Sequence, residues 1–152
     1  MSASEPNHDI QLRRIETGDA TAVAALCAEL GYQRFADEIS DWITSLHVIG
    51  AERTAFVACS SGVVGWIEIS IARHLQSEPY ALIGGLVVKQ EVRSRGVGRL
   101  LCAQAEEWAR EIGVSTIRVT SRHTRADAHR FYLRDGYAQL KTSLVFSKSL
   151  AE

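Results

Sequence analysis

The chain has 152 residues, 46% hydrophobic and 23% charged, with a formal net charge of −1, which suits one soluble domain, residues 1–152, with a substantial core. No apolar run approaches the ~18 residues of a membrane span, and the N-terminus lacks a basic stretch followed by an apolar one, so a cytoplasmic protein with no membrane partner is expected. Cys27, Cys59 and Cys102 are odd in number and set among apolar neighbours, which points to buried reduced thiols rather than a disulfide framework or a metal site.

Residues 1–8 are polar and expected to be flexible; "IQLRRI" then reads as a strand. In "DATAVAALCAELGY", Val23, Leu26, Cys27 and Leu30 form one helical stripe, and Gly31 stands where a C-terminal glycine belongs. "RFADEISDWITSL" predicts a second helix, with Phe35, Ile39, Trp42, Ile43 and Leu46 on its buried face. "RTAFVACSSGVVGWIEISIAR" predicts a hairpin turning at "SSG", with Trp66, Glu68 and Ser70 alternating against Ile67, Ile69 and Ile71. "YALIGGLVV" is a further strand whose Gly84–Gly85 pair marks a bulge or a close backbone approach. A helix follows from about Gly98 to Ile112, burying Leu101, Ala105, Trp108 and Ile112 and ending at Gly113. "STIRVTS" is a strand, "TRADAHRFYLRDG" a short helix with Thr124 as N-cap, and "TSLVFSKSL" alternates as a last strand, with a short strand near Tyr137. The strand–helix–strand unit requires parallel pairing and the early hairpins antiparallel pairing, so an α/β (α+β) fold with a mixed sheet is expected.

The charge is unevenly spread. Residues 89–99 and 122–134 together carry a net +6, which leaves −7 for the rest and suggests one polyanionic ligand held locally rather than a nucleic-acid surface. Within "VVKQEVRSRGVGRLL", Gly96 and Gly98 let backbone amides at a helix N-terminus approach a phosphate, and Arg93, Arg95 and Arg99 add charge-assisted hydrogen bonds. On its own such a loop is equally a structural turn. A Walker loop and a dinucleotide fingerprint are both excluded, the first for want of G-K-[ST], the second because Leu101 stands where a third glycine belongs.

"RSRGVG", Arg93 to Gly98, resembles the Q/R-x-x-G-x-G/A acetyl-CoA signature of the GNAT N-acetyltransferase superfamily. "ADAHRFYLRDGY", Ala126 to Tyr137, is similar to that superfamily's downstream A-x-x-F-Y-x-x-x-G-F/Y segment, and the element order matches over roughly residues 9 to 149. The resemblance implies a mostly antiparallel sheet of six to seven strands flanked by about four helices. It also implies acetyl-CoA as cosubstrate and direct attack of a primary amine on the thioester, in a ternary complex. By the same resemblance the pyrophosphate rests on Arg93, Ser94, Arg95, Gly96, Val97, Gly98 and Arg99. The pantetheine arm then pairs with Leu86, Val87 and Val88, and a backbone N–H of Val88 or a neighbour serves the oxyanion.

Tyr132 matches the family's general acid. Glu68 is the candidate base, with Glu78 and His74 as alternatives. Where many members carry Asn seven residues before the tyrosine, this chain has Arg125, which can reach a phosphate instead. Tyr32, Phe35, Glu38 and Trp42 are candidates for the acceptor pocket and equally for the core. The acidic remainder favours a cationic small-molecule or peptide acceptor such as a polyamine, an aminoglycoside-like amine, a lysine or a protein N-terminus. A homodimer is expected from the family, no nucleic acid or metal is, and a catalytically idle acyl-CoA-binding sensor of the same fold is the alternative.

Overall fold

The computed structural model describes residues 9–48, 50–93 and 95–151; the leader 1–8 expected to be flexible lies outside them, as does Ser94. The chain divides into two compact units, Met1–Val119 and Thr120–Glu152. The first holds β1 (Gln11–Arg14), α1 (Ala20–Glu29), α2 (Ala36–Leu46), β2 (Arg53–Cys59), β3 (Val63–His74), β4 (Ser77–Val88), α3 (Val97–Ile112) and β5 (Ile117–Val119), with short 3₁₀ turns at Thr17–Asp19 and Gln90–Val92. The second holds α4 (Ala126–Arg134).

The strands form one five-stranded sheet in the order β1-β2-β3-β4-β5. The first three pairings are antiparallel, and β5 joins β4 in parallel through the α3 crossover, which gives the mixed sheet expected from the sequence. Alternation along the strands sends side chains to two faces. Ala55 and Val57 share one cluster with Val23 and Cys27 of α1 and with Ile39, Ile43 and Leu46 of α2. On α3, Val97, Leu101, Ala105 and Trp108 are buried, and Gly65 of β3 lies directly against Val97 and Leu101. Each fully buried Leu, Ile or Val contributes about 1.5–3 kcal/mol, so the two helical layers hold the sheet mainly by apolar burial. One buried charge is compensated: Arg13 donates to both Asp19 carboxylate oxygens at 2.8 and 2.7 Å, and the Glu16 amide donates at 2.8 Å. Those hydrogen bonds, that from Arg13 foremost, hold the Asp19 carboxyl below its ordinary value.

Helix ends follow their glycines, Gly31 and Gly113 standing at φ +84° and +102° just past α1 and at the end of α3. Several expectations are corrected. Phe35 and Trp42 are exposed rather than buried, as is Ile112 on the last turn of α3. The N-cap of α4 is Arg125 rather than Thr124. The strands expected near Tyr137 and over 142–150 do not form among the described residues: the sheet has five strands, and Leu144, Val145, Phe146 and Leu150 stay exposed. Their alternation is a strand pattern, but a strand exists only where a neighbouring edge accepts its hydrogen bonds. In the second unit, Tyr132 packs edge-on against Phe131 and Tyr137, with ring centroids 5.2 and 5.7 Å apart, and the Tyr137 amide donates to the Tyr132 carbonyl at 2.9 Å. Among the described residues no helix is long and apolar enough to cross a membrane.

Candidate active site

The glycine–arginine loop becomes the start of α3. Gly96 is the N-cap in the left-handed region, φ +81°, where a side chain is strained, and its carbonyl accepts the first helical hydrogen bond from Leu100 at 3.0 Å. The amides of Val97 and Gly98, in the first turn, therefore have no acceptor within the helix. Val97 is 1% exposed and pins this turn to the sheet, while Arg93, Arg95, Gly96 and Arg99 are exposed around it. The turn is thus rigid, electropositive and open to an anion.

Beside it, β4 is splayed. It pairs with β5 only over Ala81, Leu82 and Ile83, while on its other side Leu86, Val87 and Val88 pair with Ile67, Trp66 and Gly65 of β3. The register skips Gly84 between the Ile83–Ile69 and Gly85–Glu68 pairs, which makes Gly84 the bulge residue. Gly85 meets the close approach instead: a Cβ there would stand 2.8 Å from the Trp66 ring. The Lys89 amide donates inward to the Val64 carbonyl at 2.7 Å, so by alternation the Val88 and Leu86 amides point to the edge that β5 leaves open. The Val88 carbonyl accepts from Arg93 Nε at 3.3 Å, which ties the loop to the strand. An exposed helix N-terminus ringed by arginines, next to a strand edge unpaired among the described residues, fits coenzyme A, whose pyrophosphate and amide-bearing arm need those two features.

A cleft of about 250 Å³ opens at the bulge, lined by Trp42, Arg53, Glu68, Ile69, Ser70 and Gly84. Trp42 Nε1 donates to Glu68 Oε2. The other carboxylate oxygen faces the bulge, since a Cβ on Gly84 would lie 3.8 Å from Glu68 Oε1. The Arg53 guanidinium stacks on the Trp42 ring, 4.7 Å from its centroid. Of the four pocket candidates from the sequence, only Trp42 lines this cleft. Glu38 accepts from the Phe35 amide at 3.1 Å, closing the first turn of α2. His74 and Glu78 sit at the far end of the β3–β4 hairpin, where His74 pairs with Ser77, so Glu68 is the carboxylate at the bulge.

Arg53 carried no signal as a lone cation opening a strand; only the register, Arg53 opposite Ser70, and the α2 packing bring it to the cleft. Tyr132 and Arg125 belong to the second unit, both on α4, with Arg125 at its N-cap and Tyr132 about two turns on. Asp127 in the first turn is held below the ordinary carboxylate value chiefly by the Ala128 amide.

The model of the acetyltransferase (GNAT) family matches residues 17–137. An aminoalkylphosphonate N-acetyltransferase of Salmonella typhimurium is 34% identical over 146 residues, covering 92% of this chain and 91% of that one. An aminoglycoside N(6')-acetyltransferase type 1 of Stenotrophomonas maltophilia is 29% identical over 157 residues, covering 99% and 97%. The fold is shared with the aminoglycoside 6'-N-acetyltransferase AAC(6')-Ih of Acinetobacter baumannii, at a TM-score of 0.79 and 20% identity over 93% of this chain and 99% of that one. With its loop, splayed strand and sequence all pointing the same way, the chain belongs to the GNAT family and is an N-acetyltransferase whose acetyl donor is acetyl-CoA.

Proposed function

We propose that this enzyme acetylates the primary amine of a small molecule by direct attack, with donor and acceptor held together. The observation that carries the reading is the position of Glu68: its carboxylate lies in a small cleft beside the bulge of β4, next to the open edge that suits the pantetheine arm. Acetyl-CoA supplies an activated thioester carbonyl. Backbone amides and guanidinium groups from Arg93 to Arg99, Ser94 included, hold its pyrophosphate, with Arg125 as a further phosphate contact. Leu86, Val87 and Val88 hold the arm as an added strand, and the Val88 N–H donates to the carbonyl oxygen as it gains charge. Glu68 takes the proton from the acceptor's ammonium, directly or through a water, so that the amine is nucleophilic. The Tyr132 hydroxyl donates its proton to the departing sulfur. Both named relatives act on small-molecule amines, which supports a small acceptor over a peptide.

Steady-state kinetics with acetyl-CoA and a panel of amines, following thiol release, tests this. Intersecting double-reciprocal lines are expected, with Tyr132→Phe and Glu68→Gln each lowering kcat by about 10²-fold or more at unchanged acetyl-CoA affinity. Parallel lines with an acetylated enzyme would contradict direct attack. Acetyl-CoA binding without thiol release for any amine would mark an idle sensor.

A further inference from the structure

The cleft holds two opposite charges that do not neutralise each other. Arg53 stacks on Trp42, and among the described residues no carboxylate reaches salt-bridge distance of its guanidinium. Glu68 has one oxygen engaged by Trp42 and the other toward the bulge. Arg53 pairs with Ser70 and Ala55 with Glu68, so Arg53 and Glu68 are diagonal neighbours on one face of the sheet, at the roughly 7–8 Å usual for such positions and somewhat less at Cβ. Ala55, directly opposite Glu68, is buried in the core, while Arg53, Glu68 and Ser70 beside it line the cleft.

An arginine held over an indole ring without a carboxylate partner among the described residues keeps N–H donors available, and a guanidinium suits two oxygens of one anion. A volume near 250 Å³ lies below the range of about 300–1,000 Å³ usual for drug-sized ligands, which favours a short acceptor. Resting on the acetyl-transfer reading above, we propose that Arg53 is the specificity-determining residue of the acceptor site. It binds an oxyanion group, phosphonate or carboxylate, carried about two carbons from the primary amine that Glu68 deprotonates. Trp42 holds both charged partners, by stacking on one and donating to the other. A second ammonium at the Arg53 end meets a like charge, so a diamine is a poor acceptor despite the acidic character of the rest of the chain.

The test is kcat/KM for 2-aminoethylphosphonate, β-alanine, n-propylamine and putrescine, in the wild type, Arg53→Met and Arg53→Lys. The wild type is expected to prefer one of the two anionic amines over n-propylamine by about 100-fold or more, because a site built for a polar group rejects the analogue that lacks it. Whichever of the two is favoured tells phosphonate from carboxylate. Arg53→Met should bring the anionic amines down to the level of n-propylamine, with acetyl-CoA binding by calorimetry retained, which shows that the variant is folded. Arg53→Lys should recover part of the loss. Putrescine as the best acceptor, or an equal loss for all four amines in Arg53→Met, would overturn the assignment of Arg53 while leaving acetyl transfer in place. Acetylation of none of them, with acetyl-CoA still bound, would overturn both.

Discussion

Gly65 packs β3 against the turn proposed to hold the cofactor. A Cβ on it would stand 3.0 Å from the Val87 carbonyl oxygen, 3.2 Å from Leu101 Cδ1 and 3.3 Å from Val97 Cγ1. All three neighbours are fixed: Leu101 is 0% and Val97 1% exposed, and Val87 is held in the β3–β4 ladder. Gly65→Ala therefore forces a separation of a few tenths of an ångström between the sheet and the first turn of α3. Overpacking of this kind costs about 1–3 kcal/mol. The lost freedom of the unfolded chain returns about 0.4–1 kcal/mol, so a net destabilisation of about 1–2 kcal/mol is expected. At about 2–4 °C per kcal/mol for a chain of this size, the melting temperature falls by about 2–8 °C. The displaced turn is also the one proposed to bind the pyrophosphate, so acetyl-CoA affinity should fall by about three- to tenfold, or roughly 0.7–1.4 kcal/mol. Thermal melts and titration calorimetry on Gly65→Ala measure both, with Gly18→Ala, which meets nothing within 4 Å, as a neutral control. A Gly65→Ala protein matching the wild type in both would refute the packing argument.

Other outcomes follow from single contacts. Asp19→Asn leaves Arg13 with only the longer Glu16 ion pair at 3.8 Å and should cost about 2 kcal/mol in urea denaturation at pH 7. Because the folded carboxyl lies below its ordinary value of 3.8, that stabilisation is fully present above about pH 5 and lost as pH falls through and below 4; the gap between wild type and variant should close in acid. Leu101→Ala, at a position 0% exposed between α3 and β3, should destabilise by about 2–5 kcal/mol in the same assay. Trp42→Phe removes the donor that positions Glu68 but keeps a ring under Arg53; kcat should fall while acetyl-CoA affinity holds, with a shift in the pH profile of kcat that a merely structural change would not give.

Local pattern carried most of the first unit. The stripes of α1 and α2, the hairpin turn at "SSG" and the glycine pair of β4 each satisfy a rule that needs only neighbouring residues, and each stands where the sequence puts it. Trp42 stands on the helical stripe but outside the core, because a helical stripe is wider than the surface it covers; of the two places open to it, its edge position falls over the cleft. The alternation of 142–150 fixed side-chain direction but not a partner edge, so no strand follows among the described residues. In the site, the loop was legible because glycines and arginines cluster within a few residues. The cleft was not, because it joins α2, β2, β3 and β4, and nothing local distinguishes Arg53 from any other arginine at the start of a strand.

The most direct test of the account is calorimetric titration of acetyl-CoA into the wild type and into Gly96→Glu, which sets a strained, negatively charged side chain at the N-cap of α3. Micromolar binding by the wild type and its loss in a folded variant is the predicted result. Equal binding by both would remove the pyrophosphate from this loop, and no binding by a folded wild type would contradict the proposed reaction itself.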